Sequence, residues 1–191
     1  MILAHLPAGY ILSALSYQRL KPSGVARGLY RRAGMFGAVA PDLDMIYFYG
    51  FDHRAHPHHS YFSHFPITWL ILLIFALIWL KNADRKNSAL LMTVFAGNGL
   101  LHMLLDYCAS NIYWLAPFVM KPFSLLTVDA LYEPWWLNFL LHRSFLLELA
   151  IIAWAVCLWR RNRNPRGRIG DDSIENGGKE AASLSPAFQE S

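Results

Sequence analysis

The chain has 191 residues, of which 55% are hydrophobic, 15% aromatic and 16% charged, with a net charge of +4. Charged residues make up about a quarter of an ordinary soluble domain, so this composition excludes that class and points to a membrane protein. The positive charge collects in alternate loops, which reads as membrane topology and gives no expectation of a nucleic-acid partner.

Residues 1–17, MILAHLPAGYILSALSY, lack the basic n-region of a secretory signal and are expected to form a retained first helix, with His5 at its outer end. Residues 33–51, AGMFGAVAPDLDMIYFYGF, are a second candidate span. Both contain Pro, Gly and polar residues, which suits segments that line a cavity better than segments that face lipid. Residues 61–80, YFSHFPITWLILLIFALIWL, and 88–105, SALLMTVFAGNGLLHMLL, are near spanning length and carry no Lys, Arg, Asp or Glu. Residues 112–136 hold Pro117, Pro122 and Pro134 together with Tyr113, Trp114, Tyr132, Trp135 and Trp136, the make-up of a broken segment at headgroup level. The run 144–159, SFLLELAIIAWAVCLW, extends backward through LNFLLHR, and residues 160–191 have no apolar period and read as a disordered, basic cytoplasmic tail. The expected fold is therefore all-α: an integral membrane helical bundle over residues 1–159 with about five membrane segments, some short or broken, and an outer interfacial segment.

Orientation follows from Lys and Arg. Residues 18–32 hold Arg19, Lys21, Arg27, Arg31 and Arg32; the turn KNADRKN holds Lys81, Arg85 and Lys86; the tail opens RRNRNPRGR. The intervening loops hold Arg54, Lys121 and Arg143. Five spans with the N-terminus outside place every basic cluster in the cytoplasm. Cys108 and Cys157 then lie on opposite faces, and no disulfide is expected between them.

In this topology the unusual polar residues gather at the outer side. They are His5; Asp42 and Asp44 of PDLD; His53, His56, His58, His59 and His64 of DHRAHPHHSYFSH; and His102 and Asp106 of HMLLD. His102 and Asp106 are four residues apart and share a helix face, with Asn98 one turn further in. Such a pair can grip one metal ion, or the carboxylate can orient the imidazole; on most helices it is only a hydrogen-bonded structural pair. The bland reading of PDLD is a helix N-cap, but carboxylates at membrane depth need a counter-charge or a water-filled cavity. Imidazoles and carboxylates together form the mixed N/O set that zinc, or alternatively manganese, prefers. The candidate metal ligands are His5, Asp42, His53, His58, His59, His64, His102 and Asp106. His56 and one of His58 and His59 also read as solvated loop residues, and the whole cluster also reads as a metal-free pH-sensitive group.

Taken together, His5, then Gly37 to Asp44, then His53-Arg54 with His58 or His59 and Ser60, then His102 to Asp106 and Pro117-Phe118 resemble the YdjM family over residues 1–159. That resemblance implies a bacterial inner-membrane protein and a metal-dependent hydrolase. The family's His-Ser pair usually follows HR after three residues; in HRAHPHHS it falls one residue later, at His59-Ser60, so His58 and His59 both remain open for that role. More remotely the pattern is similar to the zinc phospholipase C and P1-nuclease group, where H-x-x-x-D is a ligand pair, which implies phosphoester hydrolysis.

The expected chemistry is attack by metal-activated water on a phosphorus or carbonyl centre, with Asp44 as general base and Arg54 stabilising substrate charge. For Arg54 an ordinary loop salt bridge with Asp52 is an equal reading. The expected partners are membrane lipid and a lipid or phosphoester substrate near the outer face. Glu148 is expected to be a structural anchor inside the bundle, Asp129 to be solvated, and Glu133 to be a further candidate ligand. Two other functions compete: a non-enzymatic membrane protein with a structural His/Asp metal site, acting in partner binding or stress response, and a metal or proton transporter. The inner halves of the strong spans carry no polar path, which ranks the transporter last.

Overall fold

The structure, a computed structural model, describes residues 3–20, 22, 24–129, 131–134 and 136–163. It is helical throughout: α1 (His5–Leu20), α2 (Arg27–Val39), α3 (Met45–Gly50), α4 (Pro66–Asn82), α5 (Asn87–Tyr107), α6 (Trp136–Leu141) and α7 (Ser144–Arg163), with 3-10 turns at Pro41–Asp44, His58–Ser60 and Phe62–His64. Among the described residues the only β pairing is an isolated antiparallel bridge between Ile112 and Phe123.

The chain divides into Met1–Ala155, which holds all that follows, and Val156–Ser191. The described part of the second unit is the end of α7, where the Arg163 guanidinium lies 4.6 Å over the Trp159 ring. The disordered tail expected for residues 160–191 falls outside the described residues, except for residues 160–163, which continue α7.

Of the five expected spans, one is borne out by length and composition: α5, with 21 residues. At 1.5 Å per residue the 16 residues of α1 cover about 24 Å, short of the ~30 Å hydrocarbon core. α4 is apolar but has 17 residues. Residues 33–51 are not one continuous helix. α2 ends at Val39, Pro41 opens a 3-10 turn, and α3 runs for only 6 residues. The basic stretch 18–32 is likewise not all loop, since Arg27, Arg31 and Arg32 lie on α2, whose Tyr30, Gly34, Gly37 and Ala38 turn inward.

Helix α4 carries Leu70, Ile71, Ile74, Phe75, Leu77 and Ile78 exposed, with Trp69 and Ala76 buried. A helix apolar on every face with one side uncovered is suited to lipid. Pro66 sits in its first turn, where the missing N–H costs nothing. α5 is the central element, packed against α1, α2 and α4. Two glycines permit its close contacts. A Cβ on Gly37 of α2 would strike the Phe95 backbone, and one on Gly99 of α5 would strike the Trp69 ring of α4. The first approach seats the end of α2 against α5; the second seats Trp69, which reaches back to the loop before α4.

The helices of the first unit alternate in direction. His5, Val39, Pro66 and Tyr107 are at one end of α1, α2, α4 and α5, and Leu20, Arg27, Asn82 and Asn87 at the other. The second end carries the basic residues and its own apolar cluster of Val25, Tyr30 and Val94. The first carries a cluster of Ala4, Ala8 and Leu105, with Ile151 of α7 packed against it. Glu148 of α7, buried, accepts the Leu3 N–H there, in keeping with a structural anchor.

Candidate metal centre

Four sequence segments converge at the first end. α5 supplies His102 and Asp106 on one face, both buried, because positions four apart align on a helix. The start of α1 supplies His5, whose ring stacks on His102 with centroids 3.8 Å apart and an 18° interplanar angle. The 3-10 turn at Pro41–Asp44 supplies Asp42 and Asp44. Neither carboxylate caps a helix through its side chain, so the N-cap reading of PDLD does not hold. The paired turns at His58–Ser60 and Phe62–His64 supply His58, His59 and His64.

Two carboxylates form the poles of the group. Asp106 meets His5 Nε2 at 3.2 Å, His102 Nε2 at 3.1 Å and His59 Nε2 at 3.3 Å. Asp42 Oδ1 meets Nε2 of His58 at 3.3 Å, of His64 at 3.5 Å and of His102 at 3.5 Å. His102 thus faces both poles. Donor atoms of Asp42, His64, His102 and Asp106, and separately of His58, His59 and His64, lie within 4.8 Å of one another.

The far nitrogens are already committed. His102 Nδ1 donates to the Ala38 carbonyl at 2.8 Å, a contact made by the close approach of α2 to α5. His64 Nδ1 donates to Asp44 Oδ2 at 2.8 Å, and Ser63 Oγ donates to the same oxygen. Trp69 Nε1 donates to the Ser63 carbonyl at 2.7 Å, which pins the turn that carries His64. An imidazole that donates from Nδ1 presents a lone pair at Nε2, the arrangement by which a backbone carbonyl or carboxylate orients a metal-ligating histidine.

The residues present fit a cation. Nε2 of His5, His64 and His102, Nδ1 of His58 and Oδ1 of Asp44 are buried without a hydrogen-bond partner. Buried polar atoms of this kind are costly unless something satisfies them. Were every imidazole protonated instead, stacked His5 and His102 would place two charges face to face. In the loop ahead of α4, burial pushes the His59 imidazole down against the pull of Asp106.

The site is sealed on the helix side and opens on the loop side. The His64, His102 and Asp106 side chains are at most 3% exposed, whereas Asp42 is 38% exposed and His58 and His59 about 20%. Of the residues expected as ligands, His53 stands apart. It is exposed, in left-handed backbone at φ 47°, and joins neither donor group among the described residues. His53 is therefore corrected from ligand to loop residue. Arg54, at φ 65°, is also exposed, and it makes no ion pair with Asp52, whose carboxylate instead binds His56 Nδ1 at 2.8 Å. Both His58 and His59 face the cluster, one toward each pole, so the choice between them does not arise. Glu133 and Asp129 are exposed, and Glu133 joins neither donor group. The residues that sequence reasoning missed are Ser63, Trp69 and the Ala38 carbonyl, which orient ligands without titrating.

The described residues thus combine one helix of membrane length with a buried His/Asp group able to hold a metal ion, a candidate metal centre. The chain belongs to the YdjM family: the family model described as YdjM inner membrane protein matches residues 1–164. No curated protein and no solved structure matches it.

Proposed function

We propose that the protein is a membrane-bound, metal-dependent hydrolase of a phosphoester or lipid-like substrate, with its site toward the outer face of the inner membrane. One observation carries this reading. His102 spends its Nδ1 proton on Ala38, so a buried Nε2 lone pair faces Asp106 Oδ2 at 3.1 Å and Asp42 Oδ1 at 3.5 Å. Acceptors aimed at acceptors call for a cation between them. Asp42, His58, His64 and His102 would hold it at one pole, and His5, His59 and Asp106 at the other. The mixed imidazole and carboxylate set favours zinc, with manganese next. A divalent ion held there supplies Lewis acidity and lowers the pKa of water toward neutrality.

The other roles belong to the chain. Asp44 binds His64 and Ser63 through Oδ2 and turns its buried Oδ1 toward His58 Nδ1 at 3.2 Å, which places a carboxylate oxygen beside the cluster for the role of general base. Arg54 holds a long cationic side chain in a conformation that favours glycine, and residues kept at that cost cluster at functional sites; its charge serves an anionic substrate. The sealed helix side excludes water, and the loop side, through Asp42, His58 and His59, admits substrate. Orientation is supported by the alternation of helix ends, basic at one end and His/Asp at the other, under the positive-inside rule.

The test is metal analysis of the purified protein combined with assay of a chromogenic phosphodiester and of phospholipid. The reading predicts bound metal and ester turnover, both lost on chelation. Bound metal with no turnover of any ester would instead favour a structural metal site in a non-enzymatic membrane protein.

A further inference from the structure

A recess of about 400 Å³ opens beside His59, within the size range of small-molecule sites. Its wall begins directly after α5. The Ser110 N–H donates to the Asp106 carbonyl at 2.7 Å, so the chain leaves the ligand Asp106 and becomes the lining of the recess. The Ile112–Phe123 bridge and the bond from Leu125 N–H to the Tyr107 carbonyl at 2.8 Å fold the following segment back, bringing Ser124 and Thr127 opposite Ser110 and Asn111. Tyr113 and Phe139 add aromatic surface and Pro57, Ala109, Leu126 and Val128 aliphatic surface, and no Lys, Arg, Asp or Glu lines it.

This chemistry selects by charge. An anionic group would find no cation in the recess, and an ammonium no carboxylate. A purely apolar group would strip water from hydroxyl and amide side chains without replacing its hydrogen bonds. A group with several hydroxyls and an apolar edge meets every part of the lining. Building on the hydrolase reading, we propose that the recess beside His59 receives an uncharged, polyhydroxylated group of the substrate, such as a glycerol or sugar moiety, while the ester it carries lies over the His/Asp cluster.

The test uses the full chain in detergent, loaded with zinc and assayed for zinc content. Binding of glycerol phosphate and of ethanolamine phosphate is measured by calorimetry on wild type, Asn111→Asp and Ser110→Ala. Asn111 is exposed, so its substitution leaves the fold intact. Glycerol phosphate should bind at least ~10-fold more tightly to wild type, Ser110→Ala should weaken it, and Asn111→Asp should shift the preference toward the ammonium probe at unchanged zinc content, since a hydrogen bond to a charged group is worth about that factor or more. Zinc-loaded protein that binds both probes equally, or whose preference ignores Asn111, overturns the proposal while leaving the hydrolase reading intact. Protein that takes up no zinc overturns both. Vesicles of phosphatidylglycerol and of phosphatidylethanolamine then separate sources: a preference for the first identifies a lipid headgroup, and a preference confined to the soluble probe a free polyol phosphate.

Discussion

The two halves of the loop between α3 and α4 carry the same residue types and meet different fates. His53, Arg54 and His56 remain exposed, while His58, His59 and His64 enter the cluster. In the first half the chain passes through left-handed conformations at His53 and Arg54, and Asp52 accepts both the His56 backbone N–H at 3.0 Å and its ring Nδ1 at 2.8 Å. That closure is local and satisfies His56 in place. In the second half two 3-10 turns and the Trp69 bond to Ser63 aim the imidazoles inward, where their partners come from α5 and from the turn after α2. Ligand identity is thus a property of backbone path and orienting partners, and crowding of histidines does not decide it.

That contrast can be broken at several points. The largest effect is expected from His102→Ala or Asp106→Ala, which removes a donor facing one or both poles. Metal content measured by elemental analysis should fall to background, and ester turnover with it. Asp44→Asn keeps the shape but weakens the orientation of His64; loss of such a partner typically costs ~10–100-fold in metal affinity, readable by competition with a chelator of known strength. Gly99→Ala drives a methyl into Trp69 and disturbs the second half of the loop through Ser63. Overpacking of this kind costs ~1–3 kcal/mol, visible in thermal unfolding, and should lower metal affinity as well. His53→Ala and His56→Ala should be nearly silent, within the ~0.5 kcal/mol of ordinary surface changes and at unchanged metal content. A loss of metal in either of these variants would erase the distinction between the halves.

Some of this was legible in the residues themselves. The four-residue spacing of His102 and Asp106 placed them on one face, and the apolar run before Asp106 announced α5. The gathering of His5, Asp42 and the loop histidines at one depth followed from the alternation of basic loops; their meeting at one point could not be read from spacing, because it depends on how α1 and α2 cross α5. Pro and Gly in residues 33–51 announced a broken segment, but not where the chain would go: Pro41 opens a 3-10 turn that carries Asp42 and Asp44 to the cluster. The stretch 18–32 was read as loop from its charges, although α2 begins at Arg27 and buries Tyr30. Ser110, Asn111, Ser124 and Thr127 gave no signal, since neutral polar residues in a proline-rich segment look like any solvated loop. Their meaning comes from facing one another beside His59.

X-ray absorption at the metal edge of the purified full chain, compared with His102→Ala, tests the central claim most directly. The account predicts roughly stoichiometric metal in wild type, in a shell of imidazole nitrogen and carboxylate oxygen, and its loss in the variant. A wild-type protein without metal, or a spectrum unchanged when His102 is removed, would contradict it.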